Sequence, residues 1–463
     1  MQLGIITAML VISIYILIVF ILWKFGILEK LHISAVGPLL MFRTKRGIGL
    51  LDRLARHENF FRWYGNISLG IVLFFMILQV VLFAWEIPAA LRAPVSAALG
   101  PEMIIGLPGI NPIIPVGYGI IGLIVAIVVH EFSHGVLTRV AKVPVKSVGM
   151  VLLVVPIGAF VEPEEEQFKL LSRRKRARLH AVGPATNILL ALICAGIFSS
   201  GFMGSLEPVE DGVVVTHVLK DYPAEQAGLV PWALITHLTI PNMTGLDGDI
   251  RSEEDFTGIM SHTSVGDNIT ITYRYKGSHH TANATLFDKY VYYQKYYNDS
   301  NKEEFRGKGF LGIGTMSVDV VSTTLAHPLN FGSLEKFVGG VVYYISLPLI
   351  GIQPLESPVT DLYHVNGPLA GLPPAVFWAL ANMFYWLFWL NIVIGTFNAL
   401  PIPVLDGGII FRDGLDMLVQ RARPAWDTEK RARRVSLIYR LTGLTMVFLI
   451  ALLFLGPRIG ALF

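Results

Sequence analysis

Cysteine is all but missing from this 463-residue chain: Cys194 is the only one. No disulfide forms within the chain, so no disulfide framework holds the fold, and Cys194 itself, set in an apolar run, reads as a small buried residue. Charge is scarce as well. Asp, Glu, Lys and Arg make up 15% of the residues against 53% hydrophobic ones, and the mean hydropathy is +0.57. Soluble domains carry about 25% charged residues. Composition therefore excludes an ordinary water-soluble protein and points to a bilayer. No repeat period and no low-complexity tract interrupts the chain. Carboxylates are rarest where the apolar runs are longest. Glu131 is the only one between Glu102 and Glu162, and Asp406 the only one between Asp361 and Asp413.

The net charge of +3 is small, but its distribution is informative. Basic residues gather from Lys24 through Arg43, Lys45, Arg46, Arg53, Arg56 and Arg62, again from Arg139 to Arg178, and a third time from Arg412 to Arg434. Each run directly flanks an apolar segment, so membrane topology accounts for them better than a nucleic-acid surface, and no nucleic acid is expected as a partner. Six spans fit the pattern: about residues 3–24, 64–86, 116–138, 180–202, 376–400 and 436–457. Each is close to the ~20 residues a bilayer requires. The run Leu3 to Trp23 has no basic region before it and no small-residue cleavage site after it, which reads as an uncleaved anchor with its N-terminus outside. Alternation from there places all three basic loops inside. Phe337 to Ile352 is apolar but short and broken by glycines and Pro348; it is expected to be interfacial or re-entrant.

A polar block, about 207–331, falls outside by the same alternation. It contains four glycan-acceptor sequons, at Asn242, Asn268, Asn283 and Asn298; a fifth, at Asn66, lies at an inner boundary. Gly212 to Val218 starts an alternating strand, Pro223 to Leu229 reads as a turn into a short helix, and Val265 to Gly277 as a turn, a strand and a hairpin tip. Over about 207–287 this pattern resembles a PDZ domain of the kind attached to membrane and periplasmic proteases. It departs from that type after the Gly228-Leu229 turn, where Val230-Pro-Trp-Ala-Leu234 stands. Glu210 and Asp211 also precede the first strand, where like charges disfavour docking of a terminal carboxylate.

His130-Glu131-Phe132-Ser133-His134 lies inside the third span. On a helix its histidines sit one turn apart on one face, so both imidazoles reach a single Zn²⁺, with the Glu poised as general base. Burying a His-Glu pair in lipid is costly, and such pairs mark functional sites. A hydrolytic zinc site takes three protein ligands and keeps an open position. The third ligand is expected at matching depth on another span. The fifth ends Asn398-Ala-Leu-Pro401-Ile-Pro403-Val-Leu-Asp406-Gly407-Gly408, where the prolines break the helix and the glycines allow close approach. The ordinary alternative for Asp406 is a cap on the next helix. His130 lies about fourteen residues into its span, roughly 21 Å deep at 1.5 Å per residue. That leaves roughly 9 Å to the inner edge of a ~30 Å core, within reach of Asp406.

These residues, with Gly183-Pro184-Ala-Thr-Asn187 in the fourth span, resemble the site-2 protease family of intramembrane zinc metalloproteases. The resemblance implies His130, His134 and Asp406 as zinc ligands and Glu131 as general acid/base. It further implies that Asn398 and Asn187 bind the substrate backbone or the developing oxyanion. The ordinary alternative for Asn187 is an interhelical hydrogen bond. It also implies a hairpin entering the membrane near Val148 to Val161, whose edge holds an unwound substrate as an added strand.

The expected fold is a polytopic α-helical membrane protein with an inserted extracytoplasmic PDZ-like α/β domain. Its regions are an N-terminal membrane region (1–115), a first catalytic part (116–206), the PDZ-like domain with an extension (207–331), a second catalytic part (332–411) and a basic loop with the last span (412–463). The expected activity is zinc-dependent hydrolysis of peptide bonds in transmembrane protein substrates, with the lipid bilayer as the other partner and the active site near the cytoplasmic side. The competing readings are a metal transporter and a catalytically silent scaffold that presents its external domain to partners.

Overall fold

A computed structural model describes the chain except for Met1, His32, Ser96, Ala97, Leu99, Ile104, Ile105, 242–247, 298–302, Asn330, Phe331, Leu462 and Phe463. The sequons at Asn242 and Asn298 lie outside the described residues. The chain divides into two compact units, one made of Met1–Ala195 with Met383–Phe463 and the other of Gly196–Asn382.

In the first unit and at its boundaries lie five helices long and apolar enough to cross a membrane, among the described residues: Glu58–Arg92, Val116–Val140, Arg173–Ser205, Pro374–Asn398 and Thr428–Gly460. The first expected span falls on the helix Gln2–Lys24, whose stretch Leu10–Lys24 is apolar but shorter. This is a multi-pass membrane protein. Its helices meet through small residues, as lipid-embedded helices do where backbones approach closely. A Cβ on Gly122 would lie 2.7 Å from Leu390 Cδ1 and 3.2 Å from the carbonyl oxygen of Trp386. One on Gly395 would lie 2.8 Å from the carbonyl oxygen of Pro184. The helix Val116–Val140 buries Gly119, Gly122, Leu123, Ala126 and His130, a stripe at helical spacing that includes the first motif histidine.

The apolar segment after this helix forms the expected hairpin. Strands β3 (Val145–Leu153) and β4 (Val155–Pro163) pair antiparallel around Val154, whose φ is +65°. Two further strands, not anticipated, extend it. β1 (Ile33–Val36) and β2 (Leu39–Thr44) complete a four-stranded sheet in the order β1-β2-β3-β4. The Phe160 ring lies across Gly149 of β3, where a Cβ would stand 2.2 Å from Cζ of that ring. The side chain of Tyr15 reaches the sheet, donating its hydroxyl to the carbonyl of Pro38 at 2.9 Å.

In the second unit the expected strand beginning at Gly212 is Val213–Val218, the turn-helix is Pro223–Gln226, and the strand within 265–277 is Asn268–Tyr275. They belong to an antiparallel sheet in the order Ser278–Thr285, Asn268–Tyr275, Leu234–Thr239, Val213–Val218, Ile313–Ser317. Ile269 and Ile271 point into its core with Val213, Val215 and Ile235, while Asn268 stays exposed, which is the period-two alternation of a half-buried strand. The helix Glu253–Ser261 starts with a reciprocal capping box between Ser252 and Asp255. Glu210 does not stand as an open negative charge: Arg274 Nη1 donates to it at 3.0 Å and His279 Nε2 lies 3.2 Å away. The carboxylate repulsion expected there from sequence is therefore offset locally.

Residues 332–382, which the sequence placed with the second catalytic part, pack in this second unit. Tyr363–Val365 pairs with Leu206–Pro208, and the Tyr363 hydroxyl donates to the carbonyl of Val318 at 2.8 Å. Burial pushes that hydroxyl's pKa well up. The segment expected to be interfacial or re-entrant contains the helix Leu334–Ser346, too short at 13 residues to cross a bilayer.

Candidate metal centre

His130 and His134 lie one turn apart on Val116–Val140, their ring centroids 4.8 Å from each other. The helix Pro374–Asn398 stops before Pro401 and Pro403, and the chain turns into the helix Asp406–Ala422. This turn is tight. A Cβ on Gly407 would lie 2.1 Å from the carbonyl oxygen of Ala399, and one on Gly408 2.0 Å from that of Ile402. The helix is pinned by ion pairs: Arg176 bonds both oxygens of Asp413 at 2.8 and 2.7 Å, and Asp416 takes Arg173 and Arg431. Asp406 is thereby delivered to the motif histidines. Its Oδ2 is 3.1 Å from His130 Nε2 and 3.2 Å from His134 Nε2. The alternative of Asp406 as a helix cap is not what forms: Leu405 occupies the cap position with no side-chain hydrogen bond.

The donor set fits a metal ion. One ligand atom from each of His130, His134 and Asp406 lies within 4.8 Å of the others. Two ligands at 2.0–2.1 Å from a tetrahedral zinc stand about 3.3 Å apart, close to the separations found. The side chains are 8%, 12% and 14% exposed. His134 Nδ1 is 2.7 Å from the carbonyl of Leu179; as a donor there it leaves Nε2 bare for coordination. Gly183 completes the cradle. A Cβ at that position would lie 2.4 Å from His134 Nε2 and 2.8 Å from His130 Nε2, in the space the ligands need. Gly183→Ala is therefore expected to displace the imidazoles and deplete the protein of zinc. Metal analysis beside a thermal unfolding curve checks this; a Gly183→Ala protein that stays fully loaded with zinc rules the cradle out.

Glu131 opens onto a cavity of about 290 Å³ between this helix and the sheet. Val128, Phe132, Phe42, Met150 and Phe160 are among its apolar walls, and among the described residues Glu131 is the only carboxylate lining it. The asparagines take other places. Asn187 is fully buried and donates its amide to the carbonyl of Ala126 at 3.2 Å, tying two helices, while its Oδ1 has no partner among the described residues. Asn398, half-buried at the end of its helix, donates to Ile394 of the same helix at 3.0 Å. Among the described residues, neither is hydrogen-bonded to the His-His-Asp cluster.

One residue at the site went unread in the sequence. His180 Nδ1 lies 2.8 Å from Oδ1 of Asp406. The signal was a lone histidine one turn before Gly183-Pro184, at the end of the Arg173–Arg178 run, where it passes for part of a basic segment.

A helix long and apolar enough to cross a membrane, carrying two histidines and a glutamate, and an aspartate brought to them from the chain after another such helix describe a membrane protein with a candidate metal site. The sequence pattern of peptidase family M50, the site-2 proteases, matches residues 118–442, and the chain belongs to that family. Members use zinc, and His130, His134 and Asp406 form a cluster that could hold it here. Among curated proteins, the chain is 29% identical over 202 residues to an uncharacterized protein of Methanocaldococcus jannaschii, covering 41% of this chain and 52% of that one. Metalloprotease MmpA of Caulobacter vibrioides is 23% identical over 264 residues, 53% of this chain and 61% of its own. Zinc metalloprotease RasP of Shouchella clausii is 25% identical over 259 residues, 54% of this chain and 53% of its own. The matches thus span between half and two thirds of these relatives' lengths.

Proposed function

We propose that the protein is an intramembrane zinc metalloendopeptidase that hydrolyses peptide bonds within or near transmembrane segments of membrane-protein substrates. The observation that carries this reading is the position of His130, Glu131 and His134 on a helix long and apolar enough to cross a membrane, with Asp406 brought to them by the turn that follows a second such helix. A glutamate set between two ligand histidines is the group a peptidase requires, whereas a transporter or a silent scaffold has no use for it. The relatives named metalloproteases agree with the reading.

Zinc held by His130, His134 and Asp406 supplies Lewis-acid polarisation of the scissile carbonyl and makes a neighbouring water more acidic. Glu131 takes the proton of the attacking water and returns it to the leaving amine. A helical carbonyl is already hydrogen-bonded and shielded, so the substrate unwinds first. The edge of β4 and the apolar cavity beside Glu131 offer an extended segment backbone and side-chain partners. Asn398 stands at a helix end, where its amide can exchange the Ile394 carbonyl for a substrate oxygen. Asn187 is expected to serve through its tie to Ala126. Proteolysis of candidate transmembrane substrates in liposomes tests the activity, with the catalytic variant described below as its control.

The same reading places 207–331 outside the cell as a PDZ-like domain and the metal near the cytoplasmic face. The alternating charge supports that topology, and the exposed sequon residues Asn268 and Asn283 agree with it. Protease protection in oriented vesicles is expected to show this block cut only from the outer side. Digestion solely from the cytoplasmic side reverses the topology.

A further inference from the structure

His180 belongs to neither motif, yet it stands closer to Asp406 than either motif histidine does. Its Nδ1 is 2.8 Å from Oδ1, while Oδ2 faces His130 Nε2 at 3.1 Å and His134 Nε2 at 3.2 Å. The two oxygens of one carboxylate thus have separate partners. A carboxylate beside a metal can bind through one oxygen or chelate through both, and chelation occupies a position that a hydrolytic centre reserves for water. We propose that His180 is a positioning residue whose Nδ1–H, donated to Oδ1, holds Asp406 as a one-oxygen ligand through Oδ2 and so keeps the fourth position at the metal open. The inference rests on the reading of the cluster as a metal centre.

The surroundings are built for this role. Phe168 meets the His180 ring edge to face, with centroids 6.0 Å apart and planes at 83°, which fixes its tilt. Leu179, the preceding residue, supplies the carbonyl that orients His134 at 2.7 Å. One helical turn therefore aims two of the three ligands, and Gly183, three residues on, leaves room for the ion between them. Pro184 has no N–H with which to bond the carbonyl of His180, so the helix is loosened at the point where it approaches the site. Outer partners of metal ligands are usually carboxylates or carbonyls accepting from a histidine. Here the polarity is reversed: an imidazole donates to the carboxylate. His180 is not placed as a fourth ligand. Its ring centroid lies 6.2 Å from that of His134, and the mutually close donor atoms are those of His130, His134 and Asp406.

The experiment compares full-length wild type with His180→Leu, His180→Asn and His180→Gln in detergent. The asparagine variant offers an N–H near the position of Nδ1; the glutamine variant carries its amide farther out, and the leucine variant offers none. Zinc dissociation is measured by competition with a chromophoric chelator, the Co²⁺-substituted proteins by visible absorption, and folding by thermal unfolding. His180→Leu and His180→Gln are expected to bind zinc on the order of 10–100-fold more weakly, the usual effect of removing an outer partner. Their cobalt absorption should weaken as coordination rises above four. His180→Asn should restore both toward wild type. Wild-type zinc affinity and cobalt spectrum in His180→Leu or His180→Gln overturn the proposal, as does a loss in His180→Asn equal to theirs when all variants unfold like wild type. If His180→Leu does not fold, the asparagine–glutamine pair carries the comparison alone. A wild type that binds no zinc removes the metal centre itself, a result distinct from zinc binding that ignores His180.

Discussion

Glu131→Gln is expected to abolish cleavage of a transmembrane substrate while the protein keeps its zinc. The substitution preserves the volume of a side chain that lines the 290 Å³ cavity. The amide that replaces the carboxylate still hydrogen-bonds, so packing is not the variable that changes. What disappears is a group able to accept a proton at neutral pH and pass it to the leaving nitrogen. General acid–base participation is typically worth ~10²–10⁴ in rate. Asn398→Ala serves as the contrasting arm. It leaves ligands and base in place, and if its amide serves the oxyanion the loss is on the order of 10²–10³. Both rates are measured on one substrate beside zinc content. Near-wild-type turnover of the zinc-loaded Glu131→Gln protein sinks the protease mechanism.

The parts of the site that could be read from the chain share one property: they are polar residues with no local reason to be where they are. His130, Glu131 and His134 interrupt a membrane span, and Asp406 follows a helix broken by two prolines. Lipid makes such residues conspicuous. His180 has the same importance to Asp406 but sits at the end of a basic run, where another explanation was at hand. Its role depends on a contact 226 residues away along the chain, and nothing local encodes that. β1 and β2 were hidden for the same reason. Residues 33–44 lie in a positively charged stretch accounted for by topology, and their strand character comes from pairing with β3 more than 100 residues later, as at Leu40 opposite Leu152. Strand formation answers to its neighbours more than to its own residues. In contrast, Asn268–Tyr275 alternates by itself and was legible at once.

The helix Asp406–Ala422 explains why Asp406 can be tested without dismantling the fold. Its position is secured by the paired oxygens of Asp413 on Arg176, by Asp416 between Arg173 and Arg431, and by the glycine contacts at its first turn. None of these needs the Asp406 carboxylate. Asp406→Ala is therefore expected to leave helix content intact and remove zinc. The variant keeps both imidazoles, loses the only carboxylate among the three ligands, and leaves His130 and His134 facing a gap. Purified wild type should carry about one zinc per chain, as a single His₂Asp site requires, and the Asp406→Ala protein close to none after a chelator wash. Thermal unfolding supplies an independent reading. A ligand at a hundred times its dissociation constant stabilises the folded state by about 2.7 kcal/mol. Adding zinc to stripped wild type should therefore raise its unfolding temperature, and the same addition should leave the Asp406→Ala variant unmoved. A washed variant that retains a full zinc, or that is stabilised by zinc as wild type is, removes Asp406 from the ligand set.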